Sequence, residues 1–287
     1  MSVPHLLRSL SVTFDAHTHL FPPAQALARE SIAGRDLGFR EIYGDPGAVI
    51  ADAPVLLAAL QKDEVEAALV LGFAFAKERE ITEQNEYLCA VAAETPGTIV
   101  PCATVNPALP DWEREARIAL DKGARGFGEL RPGTQGWDPL GSEGGRLASL
   151  AGEAGVALIW HSSEPVGHSY PGKEGGLSAR ELIEVSSASP DVKMVGAHLG
   201  GGASFYLSMP EVRAATPNLL FDTSAASLLY DSGAIASLVD VVGSDRVLFG
   251  SDFPLRWPGS ELKKVISGFD AATSKAIAGE NARKHLC

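Results

Sequence analysis

Eight short apolar, β-branched runs recur along this chain, and between them lie stretches whose apolar residues return every three or four positions. The runs are Leu10–Phe14, Ala67–Phe73, Ile99–Val105, Ala124–Phe127, Val156–Trp160, Val192–Ala197, Leu219–Phe221 and Arg246–Phe249. The helical stretches are Asp52–Asp63, Thr82–Glu94, Asp111–Lys122, Gly145–Gly155, Ser178–Ser187 and Asp231–Val242. Pro110-Asp111 and Ser178 read as helix starts, and Gly123, Gly155 and Gly243 as helix stops. Short buried strands alternating with helices predict a parallel sheet. Eight alternations predict closure into an α/β (β/α)8 TIM barrel. An open doubly wound sheet is the alternative, but only closure brings the first and eighth strands side by side.

Length fits that reading. A chain of 287 residues suits a single barrel domain over 1–287, with two ordinary domains as the other option. Three segments between elements are long: 20–52, 131–145 and 162–176. Each follows a strand, so each is expected to rise from the carboxyl face of the barrel, the first as a long loop insertion over the site. The first carries Arg29, Arg35 and Arg40, the second Trp137, and the third Glu164, His168, Tyr170 and Lys173.

Composition removes several function classes. The formal net charge of -12 argues against a nucleic-acid partner, which calls for a basic face. It leaves room for a small anionic substrate held by a few arginines. No apolar run is long enough for a membrane span, and the N-terminus lacks a secretory apolar core, so a cytoplasmic location without membrane partner is expected. Cys89, Cys102 and Cys287 form no even framework and fit a reducing compartment. Gly167-His-Ser-Tyr-Pro-Gly-Lys173 mimics a phosphate loop, but Glu174 stands where Mg²⁺ binding wants Ser or Thr, and no helix starts directly at Lys173.

The chemistry sits where the apolar runs end. His17 and His19 are two apart, so a strand turns both to one side. His161 follows Leu158-Ile-Trp160, His198 follows Val195-Gly-Ala197, and Asp252 follows Val247-Leu-Phe-Gly-Ser251. A lone His-x-His is a weak signal. Placed before a barrel's first loop and joined by two histidines and an aspartate at other strand ends, it points to a divalent metal. Zinc is the first expectation, with Mn²⁺, Fe²⁺ or Co²⁺ equally compatible with imidazole and carboxylate. Asp15 and Asp222 are expected to face the barrel and to orient ligands or cap structure. Arg131, Tyr170 and Lys173 are the candidate substrate-binding residues, against ordinary loop packing. His168 reads as an exposed bystander or a helper of catalysis, and His5 and His285 read as surface residues.

Four stretches together resemble the amidohydrolase superfamily, in its amidohydrolase-related branch with aminocarboxymuconate-semialdehyde decarboxylase and resorcylate decarboxylases. They are Phe14-Asp-Ala-His-Thr-His-Leu20, Trp160-His-Ser162, Gly196-Ala-His-Leu-Gly-Gly201 and Phe249-Gly-Ser-Asp-Phe-Pro254. The resemblance spans nearly the whole chain. It implies that His17, His19 and His161 bind one metal, that Asp252 touches the metal or its water as general base, and that His198 orients or polarises substrate. In binuclear members the fourth strand supplies a carbamylated lysine or a bridging glutamate. No lysine lies near that strand's end here, but Glu129 does, keeping a second metal open against a salt bridge to Arg125 or Arg131. A phosphodiesterase role of the TatD kind is disfavoured by the acidic chain. The expected activity is hydrolysis of a C–O or C–N bond in a lactone, ester or amide by metal-activated water. The alternative is non-oxidative decarboxylation of a small unsaturated or aromatic carboxylate, and a barrel without catalysis ranks third. Barrels of this branch often form homodimers, which is a family expectation alone.

Overall fold

The computed structural model describes residues 12–287; His5 and the first two residues of the Leu10–Phe14 run lie outside them. Eight parallel strands follow in order: β1 (Phe14–His19), β2 (Ala67–Leu71), β3 (Ile99–Cys102), β4 (Gly126–Leu130), β5 (Ala157–Trp160), β6 (Met194–Gly196), β7 (Leu219–Asp222) and β8 (Val247–Leu248). Ladders join β1 to β3 and β4 to β8. Backbone bonds at two seams close the ring. Ala103 N donates to Gly126 O at 2.9 Å, while Ala16 N and His19 N donate to Phe249 O and Phe253 O at 2.7 Å each. The first strand thus abuts the eighth, as the barrel reading requires and an open sheet forbids.

Two apolar layers hold this ring. Phe14, Leu69, Leu71, Ile159, Val195, Leu220 and Leu248 fill the interior, with Ala282 and Leu286 of the terminal helix packed against them. The opposite faces of the same strands, among them Ala68, Val70, Leu158 and Trp160, meet the surrounding helices. Strict alternation accounts for this partition except at two places, where a strand carries an extra residue.

In β1 the pairing shifts between Asp15 and Thr18. Asp15 lies opposite Ala68 of the outer layer, and His19 opposite Leu71 of the inner one. The bulge therefore turns Ala16 and His17 inward together. Asp15 does not face the barrel interior as alternation suggests. Its Oδ1 accepts from His17 N at 3.2 Å and Ser251 N at 2.9 Å, tying β1 to the β8 end. In β4 the shift falls between Phe127 and Leu130, and it lets Glu129 follow Gly128 inward. Position 128 has no space for a side chain, because a Cβ there would lie 2.8 Å from Ile159 Cβ.

The insertion after β1 is helical, not a plain loop. Pro23–Leu27, Arg29–Ala33 and Leu37–Tyr43 form three short helices. Phe21, Phe39, Tyr43, Phe73 and Phe75 pack there as a separate aromatic cluster, with Phe21 and Tyr43 centroids 4.9 Å apart. Asp36 caps the third helix by accepting from Phe39 N at 2.9 Å. The Ser178 start is a full capping box with Glu181. No helix among the described residues is long and apolar enough to cross a membrane.

Candidate metal centre

The carboxyl ends of the strands bring His17, His19, Glu129, His161, His198 and Asp252 to one mouth. His17 Nε2 lies 3.1 Å from His19 Nε2. Glu129 Oε1 lies 2.8 Å from His161 Nδ1, 3.2 Å from His198 Nε2 and 3.8 Å from His17 Nε2. Asp252 Oδ1 is 3.6 Å from His19 Nε2 and 3.8 Å from His17 Nε2. Two ligand-competent trios result, His17/His19/Glu129 and Glu129/His161/His198, and Glu129 belongs to both.

Hydrogen bonding decides which imidazole nitrogens carry protons. His17 Nδ1 faces Asp222 Oδ2 at 2.8 Å, so it donates and leaves Nε2 bare. His198 Nδ1 donates to Ser224 O at 3.1 Å, which again leaves Nε2 bare. His161 is turned the other way. Its Nε2 donates to Gly172 O at 2.7 Å, and Nδ1 points at the centre. Lone pairs from three rings therefore converge on a carboxylate, an arrangement that repels itself unless a cation or protons sit among them. Metal–ligand bonds of about 2.1 Å place neighbouring ligand atoms about 3.0–3.4 Å apart, close to the spacings observed. The donor set fits a divalent metal.

The same field holds protons when no metal is present. Burial disfavours charge on His17, but the carboxylates of Asp222, Glu129 and Asp252 outweigh it and push its pKa up to about 10. His198 is likewise pushed up to about 9, burial being overcome by its hydrogen bond and charge pairing with Glu129 and by Asp252. His19 goes down, through burial and its neighbour His17. Burial opposes ionisation of Glu129, yet His161 and His17 hold it well below the usual carboxylate range. Burial raises Asp15 to about 7 despite its bonds from Ser251 and His17.

Local backbone geometry aims these groups. His198, Leu199, Gly200, Gly201 and Gly202 all have positive φ, a left-handed turn that the glycine run makes affordable. His198 N donates to Asp222 Oδ1 at 3.1 Å, so Asp222 orients both His17 and the His198 turn. Asp252 has φ 65, an unusual conformation for a non-glycine residue and one often found at functional positions. Its carboxylate accepts no hydrogen bond from the described residues apart from its approach to the two histidines. Gly176 lies against His161, where a Cβ would come within 2.5 Å of Cδ2.

The three expected substrate-binding residues are engaged elsewhere. Arg131 is buried, pairs with Glu41 Oε2 at 2.7 Å and donates through Nε to Glu174 O at 2.7 Å. Tyr170 donates to Glu164 Oε2 at 2.8 Å, and Tyr230 donates to the other oxygen of that carboxylate. Lys173 Nζ donates to the carbonyls of Val166 and His168, at 2.5 and 2.8 Å, stapling its own loop. Arg29 and Arg35 likewise hold the insertion, through Asp45 O, Ala48 O and Glu80. Trp137 is core, its ring tilted against that of Trp160 with centroids 5.9 Å apart. His168 is exposed, and His285 is half-buried within the terminal helix. Sequence reasoning missed Ser224, the Gly172 carbonyl and Tyr43. Tyr43 is buried in the aromatic cluster, and burial together with the charges of Asp252 and Glu129 pushes its phenol far up.

A closed barrel with imidazoles and carboxylates converging at its carboxyl mouth defines a metal-competent member of the (β/α)8 class. The family model described as Amidohydrolase matches residues 14–286, and the chain belongs to that family. No sequence among the curated proteins matches it. Among solved structures it is similar to 5-carboxyvanillate decarboxylase LigW from Sphingomonas paucimobilis, with 16% identity, 97% of this chain and 99% of that one covered, and a TM-score of 0.77. The enzyme of the same name from Novosphingobium aromaticivorans, complexed with manganese and 4-hydroxy-3-methoxy-5-nitrobenzoic acid, gives 17%, 96% and 96%, and 0.76. The 2,6-dihydroxybenzoate decarboxylase from Rhizobium gives 15%, 96% and 98%, and 0.70.

Proposed function

We propose that this protein is a metal-dependent, non-oxidative decarboxylase of a small aromatic or unsaturated carboxylate. The observation that carries the reading is whole-length likeness of the barrel to decarboxylases of such acids. Tyr43, close enough to feel the charges of Asp252 and Glu129, supports it, since a flat ring packs well against an aromatic side chain. Hydrolysis, which Glu129 favoured in the sequence, falls to second place because the three solved structures named above are decarboxylases. Zinc gives way for the same reason, since a neighbour holds manganese and the imidazole–carboxylate set accepts either ion.

His17, His19, His161 and Glu129 would hold a divalent cation at this mouth, and it would supply positive charge to anchor and polarise an anionic substrate. Asp252 delivers a proton to the ring carbon that bears the carboxylate. The bond to that carboxylate then breaks, its electron pair returns to the ring, and carbon dioxide leaves. Asp252, now ionised, recovers its proton from water. His198, held by Ser224, donates to or accepts from the substrate oxygen beside it. The test is incubation of Mn²⁺-loaded protein with 2,6-dihydroxybenzoate, 5-carboxyvanillate and a panel of lactones and esters. Carbon dioxide with the matching arene is expected. Ring-opened or ester-cleaved acid without carbon dioxide refutes the proposal.

A further inference from the structure

The outer nitrogen of His161 is held by a backbone carbonyl eleven residues further along the chain, inside the long segment after β5. That carbonyl belongs to Gly172. The same residue's N–H donates to Glu41 Oε1 at 2.9 Å. Glu41 lies on the helix Leu37–Tyr43 of the insertion, and its other oxygen takes Arg131 Nη2 at 2.7 Å. Arg131, at the end of β4, grips Glu174 O two residues beyond Gly172, and Gly133 N donates to Gly175 O at 2.9 Å. A Cβ on Gly172 would meet Ile42 of the same helix at 3.4 Å. The peptide that orients His161 is therefore strapped from the insertion on one side and from the β4 end on the other.

We propose that Glu41 is a positioning residue of the metal centre, acting through Gly172 on His161. While Glu41 holds the Gly172 amide, the Gly172 carbonyl keeps a proton on His161 Nε2 and turns the Nδ1 lone pair inward. When that hold is lost, the loop is free to lift, His161 can exchange tautomers or rotate, and the site loses a ligand. Loop order and metal affinity are then two faces of one equilibrium, each strengthening the other by the same factor. The proposal rests on the metal reading of the site and is independent of which reaction occurs there.

The test uses the full chain and Mn²⁺ as the probe. Glu41→Ala is expected to weaken Mn²⁺ binding by about 10–100-fold, the range for residues that orient a ligating histidine. It should also speed hydrogen exchange in the 165–176 segment of the metal-free protein. In the wild type, Mn²⁺ should slow that exchange. Arg35→Ala is the control, because it cuts a different anchor of the same insertion, the pair with Glu80 at 2.6 Å. It should leave affinity within about threefold of wild type. Equal losses from both variants, or faster exchange in Glu41→Ala with unchanged affinity, overturn the proposal. Failure of the wild type to bind any Mn²⁺ or Zn²⁺ overturns instead the metal reading beneath it.

Discussion

Replacing Asp222 with asparagine tests the tautomer logic on which the candidate centre depends. Asp222 is fully buried at the end of β7. Its Oδ1 accepts from His198 N at 3.1 Å, from Ser224 N at 3.0 Å and from the Ser224 hydroxyl. Three donors converge on that side, so an asparagine must keep its oxygen there. Its amide N–H2 then takes the place of Oδ2, 2.8 Å from His17 Nδ1. Two donors cannot face one another, so the His17 proton must move to Nε2 and block the inward lone pair. The variant also removes the largest charge holding a proton on His17. Loss of such an orienting carboxylate costs about 10–100-fold in metal affinity, or about 1.4–2.7 kcal/mol. Calorimetric titration with Mn²⁺ reads this directly, and circular dichroism shows whether the barrel is intact. Ser224→Ala, in which His198 keeps the residue 224 carbonyl, should change affinity by less than about threefold. Binding of Asp222→Asn within twofold of wild type, with the fold preserved, would refute the assignment of His17.

Four further outcomes follow from the geometry. Metal must displace the proton held on the ligand His17, whose pKa rises to about 10, and its charge opposes the one on neighbouring His198, whose pKa rises to about 9, so Mn²⁺ affinity should climb with pH up to that range; titrations at pH 7 in two buffers of different ionisation enthalpy should register proton release. Without metal the sign reverses: these raised values stabilise the fold fully below pH 6.5 and the benefit fades as pH rises through 9 to 10, so the metal-free melting temperature should fall between pH 7 and 10. Gly176→Ala pushes a methyl into His161, and both metal affinity and thermal stability should drop, by about 1–3 kcal/mol in the latter. Glu129→Gln removes the carboxylate shared by both trios, so metal binding should weaken and the pH window of metal-free stability should narrow, as read by melting curves from pH 6 to 10.

The barrel was legible in the chain because its strands are apolar on both faces and its helices are not. Seven of the eight runs coincide with observed strands to within a few residues. The exception is instructive: β1 is Phe14–His19, displaced toward the polar residues, because its end serves the site and carries histidines where an ordinary strand has valines. The insertion read as loop because helices of five to seven residues, such as Pro23–Leu27 and Leu37–Tyr43, are too short to display a period. That His17, His19, His161, His198 and Asp252 would gather was read from strand ends, and that Glu129 would join them was read from the family resemblance. What alternation misjudged was Asp15, since one extra residue in a ladder changes which side every later residue takes. The partners of Arg131, Tyr170 and Lys173 were invisible. Arg131 bonds a carboxylate far off in sequence, Lys173 bonds backbone carbonyls, and Tyr170 bonds a carboxylate within its own irregular loop, and none of these contacts follows a helix or strand period.

The apolar filling of the barrel has a consequence for traffic. Beneath the histidines lie Leu69, Leu71, Ile159 and Leu248, essentially without solvent contact, with Ala282 and Leu286 plugging the far end. Whatever reaches the histidines therefore comes over the carboxyl rim and not through this packed interior, so arrivals and departures share one side of the barrel.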